Sequence, residues 1–192
     1  MSNFIKDIVA VREEAQQHLA EGAMTSKHGI DAAKVVDVLN DALATEIVCW
    51  LRYQQHATVA AGIHRRAVSA EFVEHAAEEL NHALAIAERI MQLGGTPSFD
   101  PTSLESRAET SFRVYADTDL VGMLRENLIA ERIVIQVYLE IIRWLDDSDP
   151  TTRRLIEQIL QEEEEHAGDL HDLLGGFVGD DGSRRGSAES RP

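Results

Sequence analysis

The chain has 192 residues, a formal charge of −16 and a hydrophobic content of 44%, which suits one domain with a sizeable core. The negative charge opposes phosphate contacts with nucleic acid or an anionic membrane, and it favours the attraction of cations. The single cysteine, Cys49, excludes an internal disulfide and any Cys-x-x-Cys metal site. Because the sequence has neither a signal-peptide pattern nor an apolar run near roughly 18 residues, it predicts a soluble, cytoplasmic protein that binds neither membrane nor nucleic acid.

The sequence predicts an all-α fold. Long windows are rich in Ala, Leu, Ile, Glu and Arg, and no alternating, strand-like run is bounded by turn pairs. A short N-terminal helix is expected within residues 3–22, followed by a link over residues 23–29. Four long helices are predicted over residues 32–61, 66–93, 118–145 and 150–174.

The second and third long helices are joined by a long connection over residues 94–117, which can hold a short helix within 103–111. Such a connection must span the length of the bundle, so these two helices are expected to run parallel. We divide the chain into an N-terminal helix and link (1–31), a four-helix bundle (32–174) and a disordered tail (175–192).

Each long helix carries an apolar stripe that is interrupted by charged or polar side chains. Two stripes contain a lone glutamate, and two contain a Glu-x-x-His pair: Glu46, Glu131, Glu79-x-x-His82 and Glu163-x-x-His166. The acids around the last pair, Glu162, Glu164 and Glu165, fall off the stripe and are expected to face water. A buried, ionised carboxylate without a partner costs several kcal/mol, so cations are expected opposite these residues.

The order of these residues forms an internal repeat. Glu46 is followed after seven residues by Tyr53 and after 33 residues by the first Glu-x-x-His pair. Glu131 is followed after seven residues by Tyr138 and after 32 residues by the second pair. The sequence thus predicts two helical hairpins built to the same plan.

Four inward carboxylates and two imidazoles match the charge of two divalent cations. Residues at i and i+3 share one helix face, and mixed carboxylate and imidazole ligation suits iron or manganese better than the thiolate-rich sites of structural zinc. A lone Glu-x-x-His pair is usually solvent-facing. Four segments in repeated order on core stripes, two with a lone glutamate and two with a Glu-x-x-His pair, favour a dinuclear site instead.

These segments resemble the ferritin-like family, most closely bacterioferritin and the bacterioferritin-like members of the Dps group. The resemblance covers roughly residues 35–174 and rests on residues 39–46, 79–83, 87–90, 124–131 and 162–166. It implies that Glu46 and His82 bind one iron, that Glu131 and His166 bind the other, and that Glu79 and Glu163 bridge them. Manganese or zinc can substitute.

The resemblance departs from bacterioferritin at Leu80, where the haem-binding methionine of that family would stand, so no haem is expected. Ferritins that close as 24-subunit shells carry a fifth helix after the fourth. Here Gly175-Gly176 and a polar tail follow the fourth helix, which makes a homododecameric shell the expectation and a 24-mer the alternative.

The resemblance implies iron storage or detoxification, with ferroxidase oxidation of Fe(II) by O2 or H2O2 at the two-iron centre. A di-manganese catalase or a rubrerythrin-like peroxidase on the same ligands is the alternative. A third hypothesis is a helical bundle without enzymatic activity, in which the bound ion only stabilises the fold.

The remaining candidate residues have plainer interpretations. Tyr53 and Tyr138 are interpreted as core residues that hydrogen-bond a buried partner, and the alternatives are groups that support the ligands or donate electrons. Cys49 is interpreted as a small buried hydrophobe. Packing or support of the ligands is expected for His56, His75 and Trp50, and solvent exposure for His18, His28, His64 and His171.

Overall fold

A computed structural model describes residues 7–21, 29 and 31–186, with side chains described as far as residue 177. Its helices are α1 (Ile8–Gln17), a 3₁₀ turn (Leu19–Glu21), α2 (Ala32–Val59), α3 (Arg65–Gln92), α4 (Leu104–Arg107), α5 (Leu120–Leu145) and α6 (Pro150–Gly186). No strand occurs in these ranges, which confirms the all-α prediction. Within the same ranges, no helix is long and apolar enough to cross a membrane.

The four long helices pack as two hairpins, α2 against α3 and α5 against α6. Their buried apolar side chains form two clusters, one that includes Leu43, Ile86 and Ile156, and another that includes Phe72 and Leu124. On α3, α5 and α6, the inward glutamates and histidines lie between the segments that contribute to the two clusters, and on α2 Glu46 lies near the end of the segment that contributes to the first cluster. The predicted polar layer is therefore sandwiched between two apolar layers of one bundle.

The connection between α3 and α5 runs along α2 from its beginning to its end. At the beginning of α2, the Asn40 side chain donates to Thr96 O (3.3 Å) and accepts from Ser98 N (2.8 Å). Beyond the end of α2, Ala61 N donates to Asp117 O (2.7 Å). Because α3 runs antiparallel to α2 and the connection returns along it, α3 and α5 run parallel, as predicted.

Two glycines end α3 and start this connection. Gly94 has a φ of +79°, and its N–H donates to Met91 O while that of Gly95 donates to Ile90 O, the paired bonds of a Schellman motif. A Cβ on Gly95 would lie 2.6 Å from both methyl carbons of Val36. The Gly-Gly pair therefore closes the helix and also permits close contact with α2.

Three helices have an end that differs by more than two residues from the predicted one: the N-terminal helix, the short helix of the connection and α6. The N-terminal helix is shorter, since the Asp7 side chain caps it at Ile8 and it ends at Gln17. The short helix of the connection spans only Leu104–Arg107. Residues 1–6, most of the link over 23–29 and residues 187–192 lie outside the described residues.

The largest difference is that α6 continues to Gly186, past its predicted end at Leu174 and through the Gly175-Gly176 pair. Phe177 gives a physical reason, because its ring packs against the second apolar cluster and lies edge-on to His64, with centroids 5.3 Å apart. The predicted disordered tail is thus helical over 175–186. The limits of the bundle at 32 and 174 stay a prediction.

α6 begins at a buried cap that also joins it to α3. Asp149 is fully buried, and as the N-cap its side chain accepts a hydrogen bond from Thr152 N (3.0 Å). Both of its carboxylate oxygens also accept from Arg89 Nη2, at 3.0 and 3.1 Å. Burial opposes its charge, but the hydrogen bonds from Thr152 and Arg89 hold the pKa of Asp149 below its ordinary value. Pro150 follows at the first helical position, as the sequence predicts.

Replacing Asp149 with Asn should destabilise the fold by about 1–3 kcal/mol at neutral pH, because Arg89 would stay buried without its counter-charge. The Asp149 pKa is lowered on folding, so its contribution is present above the ordinary value of about 3.9 and is lost as pH falls through the folded-state value. Urea unfolding of the wild type and the variant should therefore converge in acid. Asp147→Asn, at an exposed side chain, is the matched control; equal losses in both variants would contradict the assignment.

Candidate metal centre

All six predicted ligand residues lie together in the polar layer of the bundle. Each is nearly or fully buried, at 4% exposure or less. α2 and α5 each supply one glutamate, and α3 and α6 each supply a Glu-x-x-His pair, since the i and i+3 spacing turns both side chains inward. The four-helix arrangement thus brings the two halves of the sequence repeat to one place.

The six residues form two overlapping quartets. One consists of Glu46, Glu79, His82 and Glu163, and the other of Glu79, Glu131, Glu163 and His166. In each quartet, the carboxylate oxygens and imidazole nitrogens lie within 4.8 Å of one another. Glu79 and Glu163 belong to both, and these are the residues that the resemblance implies as bridges.

The inner nitrogens of both histidines face the carboxylates. His82 Nδ1 lies 3.2 Å from Glu46 Oε2 and 3.1 Å from Glu163 Oε1. His166 Nδ1 lies 3.4 Å from Glu163 Oε2 and 3.8 Å from Glu79 Oε1. Both imidazoles therefore point their Nδ1 atoms at the same space as the carboxylate oxygens.

Each half of the repeat supplies hydrogen-bond partners for the other half. Tyr53 donates to Glu131, and Tyr138 donates to Glu46. Since each tyrosine lies seven residues after the glutamate of its own half, the exchange follows the internal repeat. The two hydroxyls thus orient Glu131 and Glu46, in agreement with the supporting role that the sequence left open.

The outer nitrogens of the histidines are held in the same crossed manner. His82 Nε2 lies 2.8 Å from Glu162 Oε2, and His166 Nε2 lies 2.8 Å from Glu78 Oε2. Glu162 and Glu78 each precede a shared glutamate, and their side chains are 49% and 40% exposed. Neither contact follows from the helical stripes, since the sequence predicts that Glu162 faces water and only the repeat marks Glu78 as its counterpart.

The layer contains buried polar atoms that have no partner in hydrogen-bonding geometry, although histidine nitrogens lie 3.1 to 3.8 Å from some of them. They are Glu79 Oε1, Glu131 Oε2, both carboxylate oxygens of Glu163 and His166 Nδ1. Among the residues that the structure describes, every buried side-chain nitrogen or oxygen in this condition belongs to the quartets. Unsatisfied buried polar atoms are costly and rare, and these are donor atoms of the kind that iron and manganese bind.

The pKa values of the six side chains indicate how the charges of the layer are balanced without cations. Burial and the neighbouring Glu163 raise the pKa values of Glu79 and Glu131 well above the usual range. Burial opposes the charge of both histidines, but the surrounding carboxylates raise the pKa of His82 to about 11 and that of His166 to about 9. Burial also opposes the charge of Glu163, yet contacts with these histidines hold its pKa below the ordinary value. Protons thus occupy the place that cations would take.

Two other histidines of α2 and α3 lie outside the quartets. His56 is buried, accepts from Asn127 Nδ2 at Nδ1 (3.0 Å), and donates from Nε2 to Arg113 O (3.0 Å). Burial lowers the pKa of His56 to about 4, so it is a neutral packing group. His75 contacts Tyr53 and stacks on His166 with centroids 4.1 Å apart. His18, His64 and His171 are exposed, and His28 lies outside the described residues.

Cys49 is buried, as predicted, and it contacts a buried arginine, Arg52, that the sequence does not mark. Arg52 donates to Asn127 Oδ1 (2.8 Å) and Thr110 Oγ1 (3.1 Å), and its Nη2 lies 3.3 Å from Cys49 Sγ. Burial raises the pKa of the Cys49 thiol to about 12, so the thiol stays protonated. The neighbouring Trp50 is half-buried and packs against both apolar clusters. The partners of Arg52 lie on α5 and the long connection, which a helical stripe does not reveal.

Residues 36–177 of the chain match the family model of the ferritin-like domain. The chain is 31% identical over 155 residues to the DNA protection during starvation protein of Pyrococcus furiosus, covering 80% of this chain and 83% of that one. It is 29% identical over 135 residues to the bacterioferritin of Desulfovibrio desulfuricans, covering 70% of each.

Among solved structures, the chain is similar to the bacterioferritin-related protein of Bacteroides fragilis, described as a dodecameric thioferritin. The identity is 32%, the TM-score is 0.74, and the match covers 93% of this chain and 99% of that one. The family match spans most of the chain, and the relatives agree with it. This chain therefore belongs to the ferritin-like family.

Proposed function

We propose that the protein stores or detoxifies iron by oxidising Fe(II) to Fe(III) at the buried layer. Glu46 and His82 bind one iron ion, Glu131 and His166 bind the other, and Glu79 and Glu163 contact both. The observation that carries this proposal is that the unpartnered buried polar atoms belong to the quartets. Manganese or zinc fits the same donor atoms, which are carboxylate oxygens and imidazole nitrogens.

The chemistry requires two irons for each two-electron oxidant. Each Fe(II) gives up one electron; two electrons and two protons reduce O2 to H2O2, or H2O2 to two molecules of water. The chain's own part is to hold both ions, to exclude bulk water through the apolar clusters on either side, and to release protons from the histidines and acids as the cations bind. Tyr53 and Tyr138 keep Glu131 and Glu46 aimed at the ions.

Aerobic Fe(II) titration of the purified protein, followed by elemental analysis, tests this function. We expect rapid oxidation at a stoichiometry of two Fe(II) per oxidising event, with the iron retained by the protein. Repeated turnover of peroxide without iron uptake would support a di-manganese catalase or a rubrerythrin-like peroxidase instead. Fe(II) that binds but oxidises no faster than in buffer would indicate a structural ion.

Glu162 and Glu78 should affect metal affinity although neither belongs to the quartets. Replacing Glu162 with Ala removes the carboxylate that holds His82 Nε2, and loss of such a partner typically costs about 10- to 100-fold in metal affinity. Anaerobic titration with Co(II) would measure this effect. Glu164→Ala, at an exposed neighbour, should change little; equal losses in both variants would show that only surface charge matters.

The proposed assembly is a homododecameric shell. Large apolar side chains are exposed along the outer faces of the long helices, such as Leu84 (54%), Ile129 (54%) and Trp144 (43%), and such residues suit contacts between copies. The described part of α6 continues as one helix to Gly186 without a separate fifth helix. The Bacteroides fragilis protein, which is described as dodecameric, supports the same size.

Light scattering should give a mass near twelve times the 21.3 kDa subunit. A mass near twenty-four subunits would favour the alternative shell, and a stable dimer at all concentrations would contradict a shell. The measurement is best made at several protein concentrations, because assembly depends on mass action.

Three expectations accompany this proposal as predictions. No haem is expected, since half-buried Leu80 offers no thioether. A formal charge of −16 opposes DNA binding, so the DNA protection that the Pyrococcus furiosus protein is named for is not carried over to this chain. A cytoplasmic location is the third.

A further inference from the structure

A third group of carboxylate and imidazole side chains lies beside the buried layer. It consists of Glu71 and His75 on α3 and Asp169 on α6, whose ligand atoms lie within 4.8 Å of one another. His75 Nε2 is 3.3 Å from Glu71 Oε1 and 3.9 Å from Asp169 Oδ2. The side chains are 2% exposed for His75, 27% for Glu71 and 59% for Asp169, so the group leads from solvent into the core.

The hydrogen bonds of Tyr53 fix which nitrogen of His75 carries the proton. Tyr53 has one hydroxyl proton, and it donates that proton to Glu131. When Glu131 is ionised, the 3.2 Å contact between Tyr53 and His75 Nδ1 therefore has the Nδ1–H group as its donor. In the neutral imidazole, Nε2 then presents a lone pair to the carboxylates of Glu71 and Asp169, and three acceptors face one another around a space that calls for a cation.

This group is not a by-product of the internal repeat. The positions equivalent to Glu71, His75 and Asp169 in the other half, counted from the shared glutamates and the ligand histidines, hold Leu155, Ile159 and Ala85. All three metal-binding side chains are thus replaced together by apolar ones. The group is therefore not a consequence of the helical packing that the two halves of the repeat have in common.

From this arrangement we infer that Glu71, His75 and Asp169 form a third divalent-cation site outside the two quartets. One imidazole and two carboxylates suit Fe(II), Mn(II), Co(II) or Zn(II), and the exposed Asp169 leaves coordination positions to water. The site itself is independent of the proposed oxidation. Its use as the place where substrate Fe(II) first binds rests on that function, since His75 stacks on His166 and reaches Glu131 through Tyr53.

Anaerobic calorimetric and visible-absorption titration of the full chain with Co(II) tests the site. The wild type should bind three Co(II) per subunit, and the double variant Glu71→Gln/Asp169→Asn should bind two. The matched control is Glu74→Gln/Asp172→Asn, which removes the same charge from exposed positions of the same two helices and should still bind three.

The variant Glu163→Gln separates this site from the proposed function. It should lose Co(II) from the quartets and keep one Co(II) at the outer site. If the Glu71/Asp169 double variant binds as many Co(II) ions as the wild type, or if both double variants lose the same amount, the third site is overturned and His75 is an imidazolium paired with the two acids. A wild type that binds one Co(II), lost only in the Glu71/Asp169 variant, would refute the quartets while supporting the outer site.

Discussion

Replacing Glu163 with Gln is expected to abolish rapid Fe(II) oxidation, because this residue belongs to both quartets and lies against both ligand histidines. Its loss should exceed the roughly 10- to 100-fold cost of losing a partner that only supports a ligand. Glu79→Gln should behave in the same way. Stopped-flow oxidation of Fe(II) would give the rates, and circular dichroism would show that both variants remain helical.

The control for this pair is Glu164→Gln, which changes the same chemical group one residue away on the exposed face of α6. It should oxidise Fe(II) at the wild-type rate. Wild-type rates in both Glu79→Gln and Glu163→Gln would sink the assignment of the shared ligands.

Metal loading should raise thermal stability strongly, because cations would replace the protons that the raised pKa values keep on Glu79, Glu131, His82 and His166. Two cations, each present at about 100 times its Kd, contribute about 5 kcal/mol together. For a chain of this size, about 2–4 °C per kcal/mol predicts a rise in Tm of roughly 10–20 °C. Calorimetric scans with and without Zn(II), at constant protein concentration, would measure it.

The sign of the pH dependence follows from the same pKa shifts. His82 and His166 have raised pKa values of about 11 and about 9, so protons compete with cations throughout the neutral range. The metal-dependent rise in Tm should therefore be smaller at about pH 6 than at about pH 8. Identical Tm values for metal-free and metal-loaded protein would mean that the six side chains do not converge on metal.

Helical periodicity explains how much of the site could be predicted. The residues at i, i+3 and i+4 share a face, so Glu79, His82, Glu163 and His166 were placed in the core by spacing alone, and the structure buries all of them. The repeat then paired the two halves. Their roles as ligands stay a prediction, since burial and proximity are what the structure establishes.

Contacts between distant elements could not be predicted in this way. Glu162 and Glu78 lie at half-exposed positions of their helices. Only the packing of α3 against α6 brings Glu162 to His82 Nε2 and Glu78 to His166 Nε2. Arg52 lies on the buried side of α2 because its partners come from α5 and the connection. The end of α6 was misplaced because Phe177, beyond two glycines, packs back on the bundle.

Anomalous scattering from crystals soaked with Co(II) would show whether the six side chains hold two ions. We expect two strong peaks in the bundle core, one bounded by Glu46, Glu79, His82 and Glu163 and the other by Glu79, Glu131, Glu163 and His166. A core without peaks, or with a single ion that contacts neither Glu79 nor Glu163, would contradict the proposed dinuclear centre.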